Sequence, residues 1–137
     1  MKTLRKTMLL LACAALFTAC QESLEERVAR EVREMTENKC PMPVGPDMML
    51  DSITFDTPTL TQSQYFRFIG DSDNDSIINA RLNDTQRLRH LLVSELKSTP
   101  SYKPLLERGF NFHYIYRSNT NPDKVYFETL LTKEDYQ

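Results

Sequence analysis

The 137-residue chain has no tryptophan, only three glycines, three cysteines and two histidines. Each shortage excludes a kind of chemistry. Gly45, Gly70 and Gly109 stand far apart, so no glycine-rich loop exists to cradle a phosphate. His90 and His113 lack a partner at metal-ligand spacing, and two imidazoles alone do not make a zinc site. No Gly-x-Ser-x-Gly elbow, Cys-x-x-Cys pair or His-Glu-x-x-His helix occurs. No cofactor and no catalytic residue set is therefore expected. The apolar run over residues 8–17 falls short of the roughly 20 residues that a membrane-spanning helix needs.

That short run is informative in itself. Lys2, Arg5 and Lys6 precede it, and Thr18, Ala19 and Cys20 follow. A basic start, a short apolar stretch and small residues form a secretory signal. A Cys directly behind them resembles the bacterial lipobox, whose Cys thiol is diacylated and becomes the new N-terminus. The customary Leu three residues before the Cys is replaced by Phe17, with Leu16 one step further out. Cys13, behind Leu11-Ala12, is a rival that leaves too little apolar run ahead of it. The expectation is a lipoprotein signal peptide over residues 1–19, then a single domain over 20–137 anchored to the membrane through acylated Cys20. Stable anchoring takes at least two acyl chains, which a triacylated Cys supplies.

Loss of the three leading bases leaves 14 Lys and Arg against 19 Asp and Glu. Such an acidic chain does not suit nucleic acid or an anionic surface. With Cys13 removed and Cys20 acylated, Cys40 stands alone, and no internal disulfide can form. It is either a reactive thiol or a small buried apolar residue, and the second is expected.

Residues 23–39 predict a helix, opened by a Ser23–Glu26 capping box and carrying an apolar stripe of Leu24, Val28, Val32 and Met35. Its charges read as a solvated face with weak i,i+4 pairs. Residues 48–55 and 60–69 predict two strands, turning at Asp56-Thr57-Pro58-Thr59. Asp71, Asp73 and Asp75 begin like a calcium loop, but Ser76 stands where Gly is needed and Leu82 where Glu is needed. The segment reads instead as a polar loop that caps the next helix. That helix is expected over residues 77–97, with Leu88, Leu91, Leu92 and Leu96 buried and Asp84 as an inner cap. A short turn or helix follows from Pro100 to Gly109.

The last third alternates strictly. Phe110, Phe112, Tyr114 and Tyr116 share one parity, and Asn111, His113, Ile115 and Arg117 share the other. This is a strand with one buried face. The aromatic row could stack on sugars, but without tryptophan the core needs it. Residues 124–132 form the returning strand and 133–137 a tail. The predicted fold is α+β, a four-stranded antiparallel sheet with helices on one face, in the order α-β-β-α-(α)-β-β. Asn111, His113 and Arg117 mark its open face, available to a partner.

Three stretches, NKCPMPVGPDMMLDSITF, LLVSELKSTPSYKPLLERGFNFHYIYR and LLTKEDYQ, resemble a widespread group of small exported proteins, many of them lipoproteins of Bacteroides-type bacteria. The chain departs from that group at Gly45-Pro46, where a longer polar segment is usual. The resemblance implies location and an intact domain, and carries over no activity. The expected function is a non-catalytic cell-envelope lipoprotein that binds a protein partner, as an accessory subunit of an outer-membrane assembly. The alternatives are an inhibitor or immunity lipoprotein acting on a periplasmic toxin or hydrolase, and a small hydrolase using His113.

Overall fold

The computed structural model describes residues 21–137, so the signal peptide and Cys20 lie outside the described residues. Helix α1 (Leu24–Lys39) opens with the expected box: Ser23 Oγ accepts from the Glu26 N–H, and the Glu26 carboxylate accepts from the Ser23 N–H. Val28 and Val32 are buried, but Met35 is 38 % exposed. Thr36 takes its place against the sheet. Its hydroxyl donates to the Ile53 carbonyl at 2.7 Å and accepts from the Ile53 N–H at 2.8 Å.

The sheet has five strands rather than four and is mixed rather than antiparallel. Strands β1 (Met42–Gly45), β2 (Met48–Asp56), β3 (Thr61–Phe68), β4 (Asn111–Ser118) and β5 (Val125–Leu131) lie side by side in chain order. The two expected hairpins, β2–β3 and β4–β5, are antiparallel, but β3 and β4 run parallel. The reason is the connection between them. Helices α2 (Asp75–Arg81), α3 (Thr85–Ser98) and α4 (Lys103–Arg108) carry the chain back, so that β4 starts at the same end as β3. Strand β1 escapes a propensity reading because of its proline. It is an edge strand, where only one side of the backbone is paired and Pro43 is tolerated.

The expected helix over residues 77–97 divides in two. Asn74 Oδ1 caps α2, accepting from the Ser76 N–H at 2.9 Å, and Asp84 Oδ1 caps α3, accepting from the Arg87 N–H at 2.8 Å. Leu92 and Leu96 are buried and Leu88 half-buried, while Leu91 is 58 % exposed, outside the buried stripe. Pro100 opens a 3-10 turn, and Gly109, left-handed at φ 84°, ends α4. The supposed tail is a helix, α5 (Lys133–Tyr136), with its own Thr132–Asp135 capping box. Tyr136 is buried and donates its hydroxyl to the Phe110 carbonyl at 2.7 Å.

One parity of the strands meets the helices. Leu50, Phe66, Phe112, Tyr114, Phe127 and Leu131 form one cluster with Val28, Val32, Leu92, Leu96 and Leu105. The aromatic row is therefore core, as its period of two requires.

Candidate functional site

The reverse face of the sheet carries the three residues expected to be open, and the structure engages each one locally. Asn111 donates its amide to the Thr59 carbonyl at 3.1 Å. Arg117 donates to the Pro122 carbonyl at 3.3 Å. His113 Nε2 lies 2.7 Å from Glu128 Oε1, and its Nδ1 lies 3.5 Å from Ser63 Oγ. The face is not uniformly open. Ile115, flanked across the strands by Tyr65 and Glu128, is 2 % exposed.

The Ser63–His113–Glu128 row has the residue types of a nucleophile, its base and an orienting acid. Its setting does not suit that chemistry. The residues lie on three adjacent strands of a continuous ladder, whose backbone N–H groups pair with neighbouring strands. An oxyanion hole needs such donors free and aimed at the reacting oxygen. His90 is exposed on α3.

The other residues singled out by sequence are structural. Asp73 accepts from the Thr120 N–H at 2.7 Å and the Tyr126 hydroxyl at 2.9 Å, and Asp75 pairs with Lys124. These carboxylates tie the start of α2 to the β4–β5 hairpin instead of converging on one point. Cys40 is half-buried against the core, and burial, then the charge of Asp51, push its thiol above the ordinary range. That disfavours a reactive thiolate.

Two hollows lie on the helix side of the sheet. Between α1, α3 and α4, the sheet is left partly uncovered, in two hollows that share Tyr102. One, of about 270 Å³, lies between α1 and α4, with Val28, Val32 and Ile53 in its walls. The other, of about 380 Å³, lies between the β1–β2 hairpin and α3, with Met48, Leu50, Phe66 and Tyr116 in its walls. Each has a glutamine of β3 in its lining, Gln62 in the first and Gln64 in the second. They occupy the core-facing parity, where Phe66 and Phe68 stand further along. A buried amide costs free energy unless it is paired. Gln64 lies beside the Tyr102 hydroxyl, whose pKa burial pushes up and Gln64 lowers by less. Gln62, only 8 % exposed, has a side-chain oxygen with no donor within reach.

The phenols that line the second hollow stay uncharged. Burial, reinforced by neighbouring tyrosines and Glu95, pushes the Tyr114 hydroxyl far above its usual range. Burial and then Glu95 push Tyr116 up to about 12. Both phenols are neutral at physiological pH. Stacked Phe66 and Tyr116 rings, centroids 4.8 Å apart, make one wall. The arrangement suits apolar side chains with a few hydrogen-bond donors, the usual make-up of a recognition pocket. Sequence reading missed it, although two glutamines within an otherwise apolar parity of β3 were the available signal. Among the described residues, no helix is long and apolar enough to cross a membrane.

The same fold is found in solved structures of low sequence similarity. A protein of Pseudomonas aeruginosa described as secreted aligns at TM-score 0.62 and 12 % identity, over 85 % of this chain and all of that one. The pilotin EpsS of the Vibrio vulnificus type 2 secretion system aligns at 0.59 and 15 %, over 83 % and 92 %. The type II secretion pilotin AspS of Vibrio cholerae aligns at 0.54 and 17 %, over 82 % and 91 %. No curated protein matches the sequence. Residues 23–127 match a family described as a domain of unknown function, and the chain belongs to that family, DUF8479.

Proposed function

We propose that the protein is a non-catalytic cell-envelope lipoprotein, held at the outer membrane by acyl chains on Cys20, that docks a segment of a protein partner in the helix-side cleft as an accessory subunit of an outer-membrane assembly. The observation that carries this reading is the pair of hollows meeting at Tyr102, lined by apolar and polar side chains together, beside a buried amide oxygen that lacks a donor. A folded monomer leaves few such groups unpaired, and a bound segment supplies the missing donor. Two proteins that share the fold are pilotins of type II secretion systems, which favours an accessory role over catalysis. The signal-like start at residues 1–20 supports the location.

Photo-crosslinking in the cells that make the protein tests the site. A photoreactive residue is placed at Val44 or Met35, both exposed at the cleft margins, or at Arg117 on the reverse face. One dominant adduct from the cleft positions, absent from Arg117, is expected. Adducts from Arg117 alone, or from none of the three, would overturn the reading.

A further inference from the structure

The cleft carries charge of one sign only. Glu31 is the one charged residue lining the first hollow, and Glu95 the one lining the second. Among the described residues, neither carboxylate forms an ion pair. On α1, Glu25 and Glu34 have arginine partners, while Glu31, like Glu26 and Glu37, has none. Gln62, in the same hollow as Glu31, adds an acceptor and no donor partner of its own. Carboxylates thus stand beside apolar side chains and neutral polar groups, and no cation lines either hollow.

We infer that the segment held in this cleft is a cationic amphipathic one. Its apolar side chains fill the two hollows, one Lys or Arg meets Glu31 and donates to Gln62, and a second meets Glu95. The inference rests on the docking role proposed above and names the chemistry of the occupant. Complementary charge at the rim of an apolar patch selects among partners more than it tightens binding. An acidic segment would fill the same walls but set carboxylates against Glu31 and Glu95, and a neutral one would supply a donor to Gln62 but leave both carboxylates without a counter-charge. An arginine suits the first hollow well, because its fork can serve a carboxylate and an amide oxygen together.

The test uses the full chain in neutral detergent and three helical peptides of one leucine pattern, whose polar positions are lysine, glutamine or glutamate. A nitroxide on each peptide reports its place by broadening the methyl signals of Val28 and Leu92. The lysine peptide should broaden both signals and bind roughly tenfold more tightly than the glutamine peptide, an advantage that fades as salt rises from about 0.05 to 0.5 M. Glu31→Gln/Glu95→Gln, two exposed changes that leave the core untouched, should erase the advantage and leave the glutamine peptide unaffected. Gln62→Leu should weaken the lysine and glutamine peptides, which both carry donors, and spare the glutamate peptide. If lysine and glutamine peptides bind the cleft equally, the charge inference falls and the docking role stands. If no peptide broadens either signal, both fall. If the unliganded chain dimerises and excludes the peptides, a second copy is the occupant and the inference is overturned.

Discussion

At the scale of single residues, neighbours on one strand have opposite fates. Phe112 is fully buried, its ring edge-on to Tyr102 and Tyr136, while His113 lies on the reverse face beside Glu128. Phe112→Ala should cost roughly 3–5 kcal/mol, a large share of the roughly 5–15 kcal/mol that holds a domain. His113→Ala should cost about 1 kcal/mol or less, because its bond to an exposed glutamate is replaced by water. Denaturant melts of the two variants check this, and equal losses would refute the register. A second residue sets a pH dependence. Desolvation alone would raise the Asp73 carboxyl, but hydrogen bonds from Ser118, Thr120 and Tyr126 outweigh it and hold the group at about 2, against an ordinary 3.8. A depressed acid stabilises the fold above its unfolded value and loses that contribution as pH falls through the folded one. Stability should therefore drop between about pH 4 and 2, and Asp73→Asn should be less stable at neutral pH and show a shallower drop in that window, read by acid titration of circular dichroism. The burial of Phe112 was legible from sequence, because alternation is local. That of Ile115 was not, because it depends on which side chains the adjacent strands set beside it.

Elements were legible where their signals are local and hidden where pairing is distant. The Ser23–Glu26 box, the Asp84 cap and the capping loop before α2 act within a few residues, and the structure shows them working, with Asn74 as the loop's capping residue. Two hairpins were readable from turn chemistry. The parallel junction of β3 and β4 was not, because it depends on where a long helical crossover returns. Strand β1 was masked by prolines that an edge tolerates, and α5 by its brevity. That last helix is fastened from outside. Asp135 accepts from the Thr132 N–H at 2.7 Å and pairs with Arg89 of α3 at 2.6 Å, while Arg89 also donates to the Thr129 hydroxyl at 2.6 Å. Asp135→Ala removes the cap and the ion pair together. We expect a loss of about 1–2 kcal/mol, most of it from the cap, with faster hydrogen exchange at the Tyr136 and Gln137 amides. Unchanged melting and exchange would show that α5 is held by Tyr136 alone.

At the scale of the whole molecule, anchor and fold should be separable. Only Gln21 and Glu22 stand between Cys20 and the cap residue Ser23, so Ser23 lies within about 11 Å of Cys20 at full extension. Among the described residues, the buried cluster begins further on, at Val28, with Leu24 the earliest side chain packed against it. Acyl chains on Cys20 would therefore fix the location of the domain without adding to its core. One chain gives marginal binding, while two or more give stable anchoring. Mass spectrometry of the mature protein should find an acylated N-terminal Cys20. Cys20→Ser should accumulate as uncut precursor and leave the outer-membrane fraction, while its purified domain melts at the wild-type temperature. An unmodified mature N-terminus, or normal cleavage and fractionation of the Ser variant, would remove the lipoprotein reading. A lowered melting temperature would mean instead that the leading segment contributes to the fold, and the short reach from Cys20 to α1 would then be a structural contact rather than a tether.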